Sequence, residues 1–484
     1  MRINFICSAI GLILRYVSVM LLIPCIVAYV DKDYSSIIPF VVASAFSVVV
    51  GLILRRNQES LDSLNSIKKS EALFTVSLSW IAICIISAIP YLFYGLSPLD
   101  SLFEATSGIT TTGATILTNF DYPKAMFLWR SLSQWLGGMG IIVLFIAILP
   151  QFRVAGRQMF YAEAPGPTEE KVTPRIRHTA TALWGIYVFL TGLQILLYKL
   201  SGMNIFEAVC NSMSTVAAGG FSPHPESIMG YNSSPIIWIT ILFMFLSGAN
   251  FALQYKVLVQ RKYAALIRSE EFKLYLGLFL GISLLVALFL WLEGNYSGII
   301  AVRDSLFQTI SMMTSTGFAA VDYTKWVLPA KVILFLAMFT GACAGSAAGG
   351  VKIVRILYVF KYFKTEIVKI LHPNAVLPIK IDRNIVQEEV GRQILSFVMF
   401  YFFIFAIGAV LVSIIEQNII VGLTGSISAI GNIGPAFGQL GPFETFAVLH
   451  PMTKFIFIVL MLVGRLELIP FLAMFHVDFW KIKH

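Results

Sequence analysis

Four short stretches of this chain hold the residues whose types and spacing could do chemistry. DSLFEATSGITTTG (Asp100 to Gly113), EAVCNSMSTVAAGG (Glu207 to Gly220), DSLFQTISMMTSTG (Asp304 to Gly317) and VGLTGSISAIGNIG (Val421 to Gly434) align without gaps on a shared final glycine. The glycines are 107, 97 and 117 residues apart, the mark of four copies of one unit. A serine stands six residues before the glycine in every copy (Ser107, Ser214, Ser311, Ser428), and a carboxylate opens three of them (Asp100, Glu207, Asp304). An acid is favoured at a helix start by the macrodipole, so each stretch reads as a half-helix followed by a loop. The chemistry on offer is coordination. Backbone that leaves a helix at membrane depth has unpaired carbonyls, costly at several kcal/mol each unless protein or a water-filled path satisfies them. A dehydrated cation can do the same. Four such loops about a pseudo-fourfold axis would offer rings of carbonyl oxygens in place of a hydration shell, which describes a potassium selectivity filter. The predicted ring comprises Thr111, Thr112 and Gly113; Ala218, Gly219 and Gly220; Ser315, Thr316 and Gly317; and Asn432, Ile433 and Gly434. The competing reading is small-residue loops on the outer surface. It suits one isolated T-T-G better than four copies in register.

The elements that must position these loops are membrane helices. With 57% apolar residues and 13% charged in 484 residues, too few charges remain to cover a water-facing surface, since a globular protein carries roughly 25%. Collagen-like, disordered, disulfide-scaffold and nucleic-acid-binding classes fall on the same composition. A bilayer core of about 30 Å needs about 20 apolar residues per helix. Ten segments qualify: 3 to 30, 36 to 54, 70 to 94, 124 to 149, 179 to 200, 235 to 258, 273 to 292, 328 to 359 (interrupted), 393 to 415 and 453 to 475. An even number puts both termini on one side. Placing them in the cytoplasm puts 25 Lys and Arg on inward loops and seven on outward ones, and short basic loops stay inside. The net charge of +9 is thereby explained without nucleic acid. Arg15, Arg130 and Arg465 lie within spans or at their edges. Residues 1–69 form two leading helices, and 70–160, 161–265, 266–375 and 376–484 form the four repeats.

Two further features suggest control of a pore. Gly341 to Gly350 is ten residues of Gly, Ala, Cys and Ser within the eighth span, where four glycines cost ~1 kcal/mol each against Ala in a helix. Gly341, Gly345 and Gly349 could form a small-residue ridge between helices, or the span could break, with Gly350 and Lys352 ending a mobile plug at the cytoplasmic mouth. Arg465 stands midway along the last span, where a charge costs roughly 2.5–3.5 kcal/mol. It must face protein or water, either in a structural ion pair or pointing into the pore beneath the fourth loop. Glu467, two residues on, lies on another helix face and is a poor partner. Arg130 with Gln134 and Trp135 could brace the first loop. Asn250 could line an inner cavity, Arg15 snorkels or pairs locally, and Trp80, Trp129, Trp184, Trp238, Trp291 and Trp326 read as interface aromatics.

On these residues the chain resembles the TrkH, KtrB and plant HKT superfamily of cation channels and transporters, over nearly its whole length. Further shared motifs are G-G-M-G (Gly137 to Gly140), G-A-C-A-G-S-A-A-G-G-V-K (Gly341 to Lys352) and G-R-L-E (Gly464 to Glu467). The two leading spans favour the TrkH branch. The resemblance implies an all-α integral membrane protein of four potassium-channel-like helix–pore loop–helix repeats, preceded by two extra transmembrane helices, in a bacterial inner membrane. It implies potassium uptake gated by the 341–350 loop and by Arg465, with potassium bound at the filter. Gly113, where sodium-preferring HKT proteins have serine, implies potassium and with it rubidium. The fourth loop departs most, with Asn432, Ile433 and Pro435. A homodimer on a cytoplasmic TrkA-type nucleotide-binding ring is also implied, and Lys352 to Arg392 is the plausible docking surface. A sodium- or proton-coupled symporter of the same fold is the alternative.

Other classes fit less well. Transporters of organic solutes are commonly built on inverted repeats, whereas these four share one orientation. A membrane enzyme needs clustered acids, bases or metal ligands, and almost no ionisable residue lies at membrane depth. The five cysteines and six histidines form no C-x-x-C, H-x-x-x-H or H-E-x-x-H, so neither a disulfide framework nor a zinc site is indicated. No nucleotide-binding glycine motif is present, and no organic cofactor is expected.

Overall fold

A computed structural model describes residues 3–56, 69–140, 176–293, 296–375 and 377–466. Among these the chain is helical apart from one antiparallel hairpin, Lys380–Ile381 with Asn384–Ile385. Two leading helical arms come first. Ile3–Leu21 continues past a joint at Leu22 as Ile23–Val30, and Ile37–Leu54 packs along it. Their backbones touch. A Cβ on Gly11 would fall 2.6 Å from the carbonyl oxygen of Gly51, and one on Gly51 2.7 Å from that of Gly11. The buried hydroxyls of Ser44 and Ser47 donate across the pair to Ser18 O (2.9 Å) and Leu14 O (2.7 Å), the small-residue packing that joins helices where no hydrophobic force operates between them.

Each repeat then supplies an outer helix, a short pore helix and an inner helix. The outer helices are Lys69–Phe93, Ile176–Leu200, Glu270–Leu292 and Glu388–Glu416. The pore helices are Pro98–Ile109, Ile205–Val216, Gly298–Met313 and Ile419–Gly431, and the inner helices begin at Lys124, Ser234, Leu328 and Pro451. The two leading arms and the four outer helices are long and apolar enough to cross a membrane. Three pore helices start on side-chain caps: Ser97 Oγ accepts from Asp100 N, and the Asn204 and Asn418 amide oxygens accept from Phe206 N and Ile420 N.

Several expectations change. The segment 235 to 258 is not one continuous helix, because Ser234–Gly248 and Phe251–Leu258 meet at 105°. Asn250 causes the break by capping the second piece, its Oδ1 accepting from Ala252 N (2.8 Å) and Leu253 N (3.1 Å). Asp304 does not open its pore helix, which begins at Gly298; it is buried and held by Arg303 Nε at 2.8 Å. Trp80, Trp129, Trp184 and Trp326 are buried in protein, and only Trp238 and Trp291 keep the exposure of interface aromatics. Trp80, Trp129 and Trp184 sit on helices packed between neighbours and Trp326 in the bend before Leu328; the indole N–H of Trp129 donates to Ser87 O and that of Trp326 to the Tyr296 hydroxyl. Arg15 is exposed, its stem beside Gly51. The 160/161 repeat boundary, the basic residues Arg2, Lys68, Arg153, Arg157, Lys171, Arg175, Lys481 and Lys483, and Glu467 lie outside the described residues.

Candidate functional site

The four pore helices end in the same way. In each, the residue two before the shared glycine is left-handed: Thr111 (φ 57°), Ala218 (56°), Ser315 (52°) and Asn432 (53°). The next amide reaches back to the carbonyl of the shared serine, Thr112 N to Ser107 O at 2.8 Å, and Gly219, Thr316 and Ile433 to Ser214, Ser311 and Ser428 at 2.9 Å each. This is the Schellman ending. That bond uses the serine's backbone carbonyl, which any residue offers; in repeats three and four the hydroxyl also donates across the turn, Ser311 Oγ to Phe318 O (2.6 Å) and Ser428 Oγ to Gly434 O (2.7 Å). Glycine normally takes the left-handed place, so three non-glycine, non-asparagine residues there hold strain on the order of 1–3 kcal/mol each, of the sort kept at functional sites. The shared glycine is left-handed too, at φ 83°, 76°, 77° and 104° for Gly113, Gly220, Gly317 and Gly434. Left-handed residues alternating with right-handed ones turn successive N–H groups to one side and carbonyls to the other.

The four loops close into a ring. A Cβ on Gly113 would fall 2.1 Å from Gly219 O, on Gly220 2.0 Å from Thr316 O, on Gly317 2.0 Å from Ile433 O, and on Gly434 2.6 Å from Thr112 O. Each glycine therefore packs on the carbonyl before the next repeat's glycine, and the fourth returns to the first. One side chain in the ring would push neighbouring loops apart. A cavity of about 60 Å³ above the ring is lined by Gly113, Gly220, Gly317 and Pro435 together.

Behind the ring, buried polar groups fix the loops. Glu104 and Arg130 are buried and paired at 2.8 Å. Glu104 also accepts from Ile116 N (3.0 Å) and the Thr115 hydroxyl (3.1 Å), while Arg130 donates to Thr115 Oγ1 (3.1 Å) and lies 4.0 Å over the Phe221 ring. Arg130 thus braces the first loop, as expected, and reaches the second. Gln134 departs from expectation. It serves the second loop, donating to Gly219 O (2.7 Å) and accepting from Phe221 N (3.1 Å), and it fills the space where Gly219 has no side chain. Trp135 bonds Thr191 and takes no part. In loops one and three, Thr112 and Thr316 pair instead with Thr110 and Thr314, each at 2.7 Å. The divergent fourth loop is tied to the first by Asn432, which donates to Thr112 Oγ1 at 3.0 Å.

Below the ring, the helix begun at Leu328 ends at Ala337 and does not resume until Ile353. The intervening loop touches repeats two, three and four, and Arg465 links it to repeat one. Gly349 N donates to Ser315 Oγ (2.6 Å), and a Cβ on Gly349 would meet Gly431 O at 2.4 Å. Cys343 N donates to Gly248 O (3.0 Å), and Gly345 O accepts from Phe251 N (3.0 Å), both beside the 105° break. Asn250 packs against Gly345. Arg465 donates to Ala347 O (3.0 Å), Gly137 O (2.6 Å) and Gly138 O (2.9 Å), joining the loop to inner helices one and four. Of the two readings of the glycine segment, the broken span is the one found.

The motif glycines of the inner helices allow close approach. A Cβ on Gly137 would lie 1.9 Å from Ile109 O, and on Gly464 2.1 Å from Ile430 O, both at pore-helix ends. Lys352 departs from expectation: it is buried, and its Nζ donates back to Ala348 O. As N-cap of Ile353–Leu371 it points its ammonium at loop carbonyls, which solvate it better than an apolar interior. Sequence reasoning missed Glu271, whose Oε1 accepts from Ala344 N (2.6 Å) and Val354 N (3.2 Å). An acid in a helix's first turn reads as an ordinary dipole partner, so nothing local betrays it.

Fold and site together define an all-α, multi-pass membrane protein of four channel-like repeats about one centre, led by two extra helices. A family model described as a cation transport protein, TrkH, matches residues 40–294 and 294–481. The chain belongs to the TrkH family. The Trk system potassium uptake protein TrkH of Salmonella typhimurium is 34% identical over 490 residues, 99% of this chain and 100% of that protein. The Trk system potassium uptake protein TrkG of Escherichia coli is 33% identical, over 97% of each chain. The crystal structure of the potassium transporter TrkH from Vibrio parahaemolyticus superimposes with a TM-score of 0.89 at 30% identity, covering 99% of this chain and all of that one.

Proposed function

We propose that this chain is the potassium-passing subunit of an uptake system, and that ions cross through the ring of loops at Gly113, Gly220, Gly317 and Gly434. The observation that carries the reading is the cyclic contact of the four glycines, each against the carbonyl of the next repeat. The carbonyls of Thr111, Thr112 and Gly113 and of their counterparts Ala218, Gly219, Gly220, Ser315, Thr316, Gly317, Asn432, Ile433 and Gly434 replace the water around potassium and rubidium. Names carried by relatives support the ion: the Salmonella protein is called a potassium uptake protein. The protein is not an enzyme, and no organic cofactor enters the reading.

In this reading the 340–352 loop is the gate. It lies beneath the ring on Ser315 and Gly431, and Arg465 holds it through Ala347. The Arg465 charge is spread over three carbonyls while the loop is in place. Release of the loop breaks the bond to Ala347 O, while Gly137 O and Gly138 O still hold the guanidinium on inner helix one. Both termini lie in the cytoplasm of a bacterial inner membrane on the distribution of basic loops. The chain works as a homodimer on a TrkA-type nucleotide-binding ring, a partner suited to the exposed basic residues Lys364, Lys369, Lys380, Arg383 and Arg392, whereas Lys352 and Arg355, which open the stretch Lys352 to Arg392, are buried. The membrane potential supplies ~2.3 kcal/mol per charge per 100 mV inward. Symport with sodium or protons on the same fold is the second reading.

The test is rubidium uptake by the purified protein in liposomes under an inside-negative potential. Uptake blocked by excess potassium, tolerant of excess sodium and unaffected by organic solutes supports a passive filter. Uptake that requires a sodium or proton gradient favours symport, and uptake insensitive to potassium overturns the reading.

A further inference from the structure

The outer helix of the third repeat opens with two consecutive acids, Glu270 and Glu271, after Ser269, whose hydroxyl caps Phe272 N at 3.3 Å. A carboxylate in that position ordinarily faces water and its own helix dipole. Glu270 does so, half-exposed against Lys361. Glu271 turns inward and is 8% exposed. Its Oε1 alone takes two backbone amides, Ala344 N and Val354 N. These flank the stretch that contains Gly345, Gly349 and Gly350, so one carboxylate ties the middle of the loop to the first turn of the helix that follows it. The Val354 amide belongs to the first turn of Ile353–Leu371, where helix N–H groups lack internal partners and the N-cap, Lys352, offers no side-chain acceptor. The Ala344 amide belongs to a backbone with no ladder of its own beyond the Thr340–Val351 bridge. With two of its donors satisfied by one residue outside the loop, the segment keeps a fixed height below the ring.

We propose that Glu271 is a positioning residue that clasps the 340–352 loop shut across the axis. The proposal rests on the reading of that loop as the gate, and its test separates the two. Cys343 lies in the clasped segment and is 1% exposed, so its reaction with a membrane-impermeant methanethiosulfonate reports loop opening whether or not ions flow. In the full chain in liposomes, with Cys7, Cys25, Cys84 and Cys210 replaced by serine, Cys343 modification and rubidium uptake are measured side by side. Loss of hydrogen bonds to a charged acceptor should speed modification by about ten- to a hundredfold in Glu271→Ala. Glu271→Gln keeps an acceptor oxygen and should give a smaller rise; it decides the matter if the alanine variant does not assemble. Glu270→Gln, one residue away, should match the parent. Rubidium uptake should rise with modification, while the preference for potassium over sodium stays fixed. Parental modification rates in both Glu271 variants, or an equal rise in Glu270→Gln, would overturn the proposal. A rise in modification without a rise in uptake upholds the clasp and sinks the gate.

Discussion

Replacing Arg130 with methionine probes whether the ring is held from behind. The pair with Glu104 is buried, with Arg130 2% and Glu104 0% exposed. Removing the guanidinium, which lies against the Phe120, Phe127 and Phe221 rings, leaves the Glu104 carboxylate without its counter-charge, held by Thr115 and Ile116. Breaking a buried pair at one partner costs about 3–5 kcal/mol, whereas replacing both partners by groups of similar shape is often near neutral. Arg130→Met should therefore destabilise by about that amount, and Glu104→Gln/Arg130→Met should recover most of it. Glu104→Gln alone should cost less than Arg130→Met, because the cation keeps the Phe221 face at 4.0 Å and the Thr115 hydroxyl. Stability is read from denaturant unfolding of the purified protein in detergent, and the parent with its three variants forms a double-mutant cycle. Arg130 links residues following two filter loops, so the single variant should also lose potassium preference in liposome flux. Additivity within ~0.5 kcal/mol would show that the two groups act independently and would refute the brace.

Three further outcomes follow from the same geometry. Arg465→Ala severs the bonds to Ala347, Gly137 and Gly138 and should raise rubidium flux several-fold; parental flux counts against gate control by this residue. Gln134→Met keeps the bulk behind Gly219 but removes the contacts to Gly219 O and Phe221 N. It should lower the potassium-to-sodium permeability ratio while uptake persists, and an unchanged ratio in reversal-potential measurements rules the role out. Gly220→Ala sets a methyl 2.0 Å from Thr316 O at a φ of 76°. It should abolish selective uptake with the protein still monodisperse, and wild-type flux would show that this glycine is not at the pore.

What the sequence disclosed and what it concealed divide along one physical line. The shared glycines were legible because each does a backbone job that only a few residue types can do, a left-handed turn at a close approach. Repetition multiplied that signal by four. The break at Gly248-Ala249-Asn250 carried the same kind of local mark, since a glycine followed by a helix-capping asparagine is a stop and a start; the apolar run around it hid the punctuation. Glu271, Gln134 and the reach of Arg130 into loop two had no such mark. Their partners lie 73, 85 and 92 residues away, and an isolated polar side chain on a helix announces no address. The same contrast bears on how the site can work. Within each repeat, the turn that shapes the ring follows local backbone rules, and Gln134 and Arg130 hold the loops from behind. The loop beneath it has almost no local structure and is held by Glu271, Ser315 and Arg465 from three other elements. A part whose conformation depends on distant contacts can be released by moving any one of them, while the ring keeps its form. If the loop is the gate proposed above, Arg465→Ala should therefore change flux and spare ion preference, and Gln134→Met should change ion preference and spare flux.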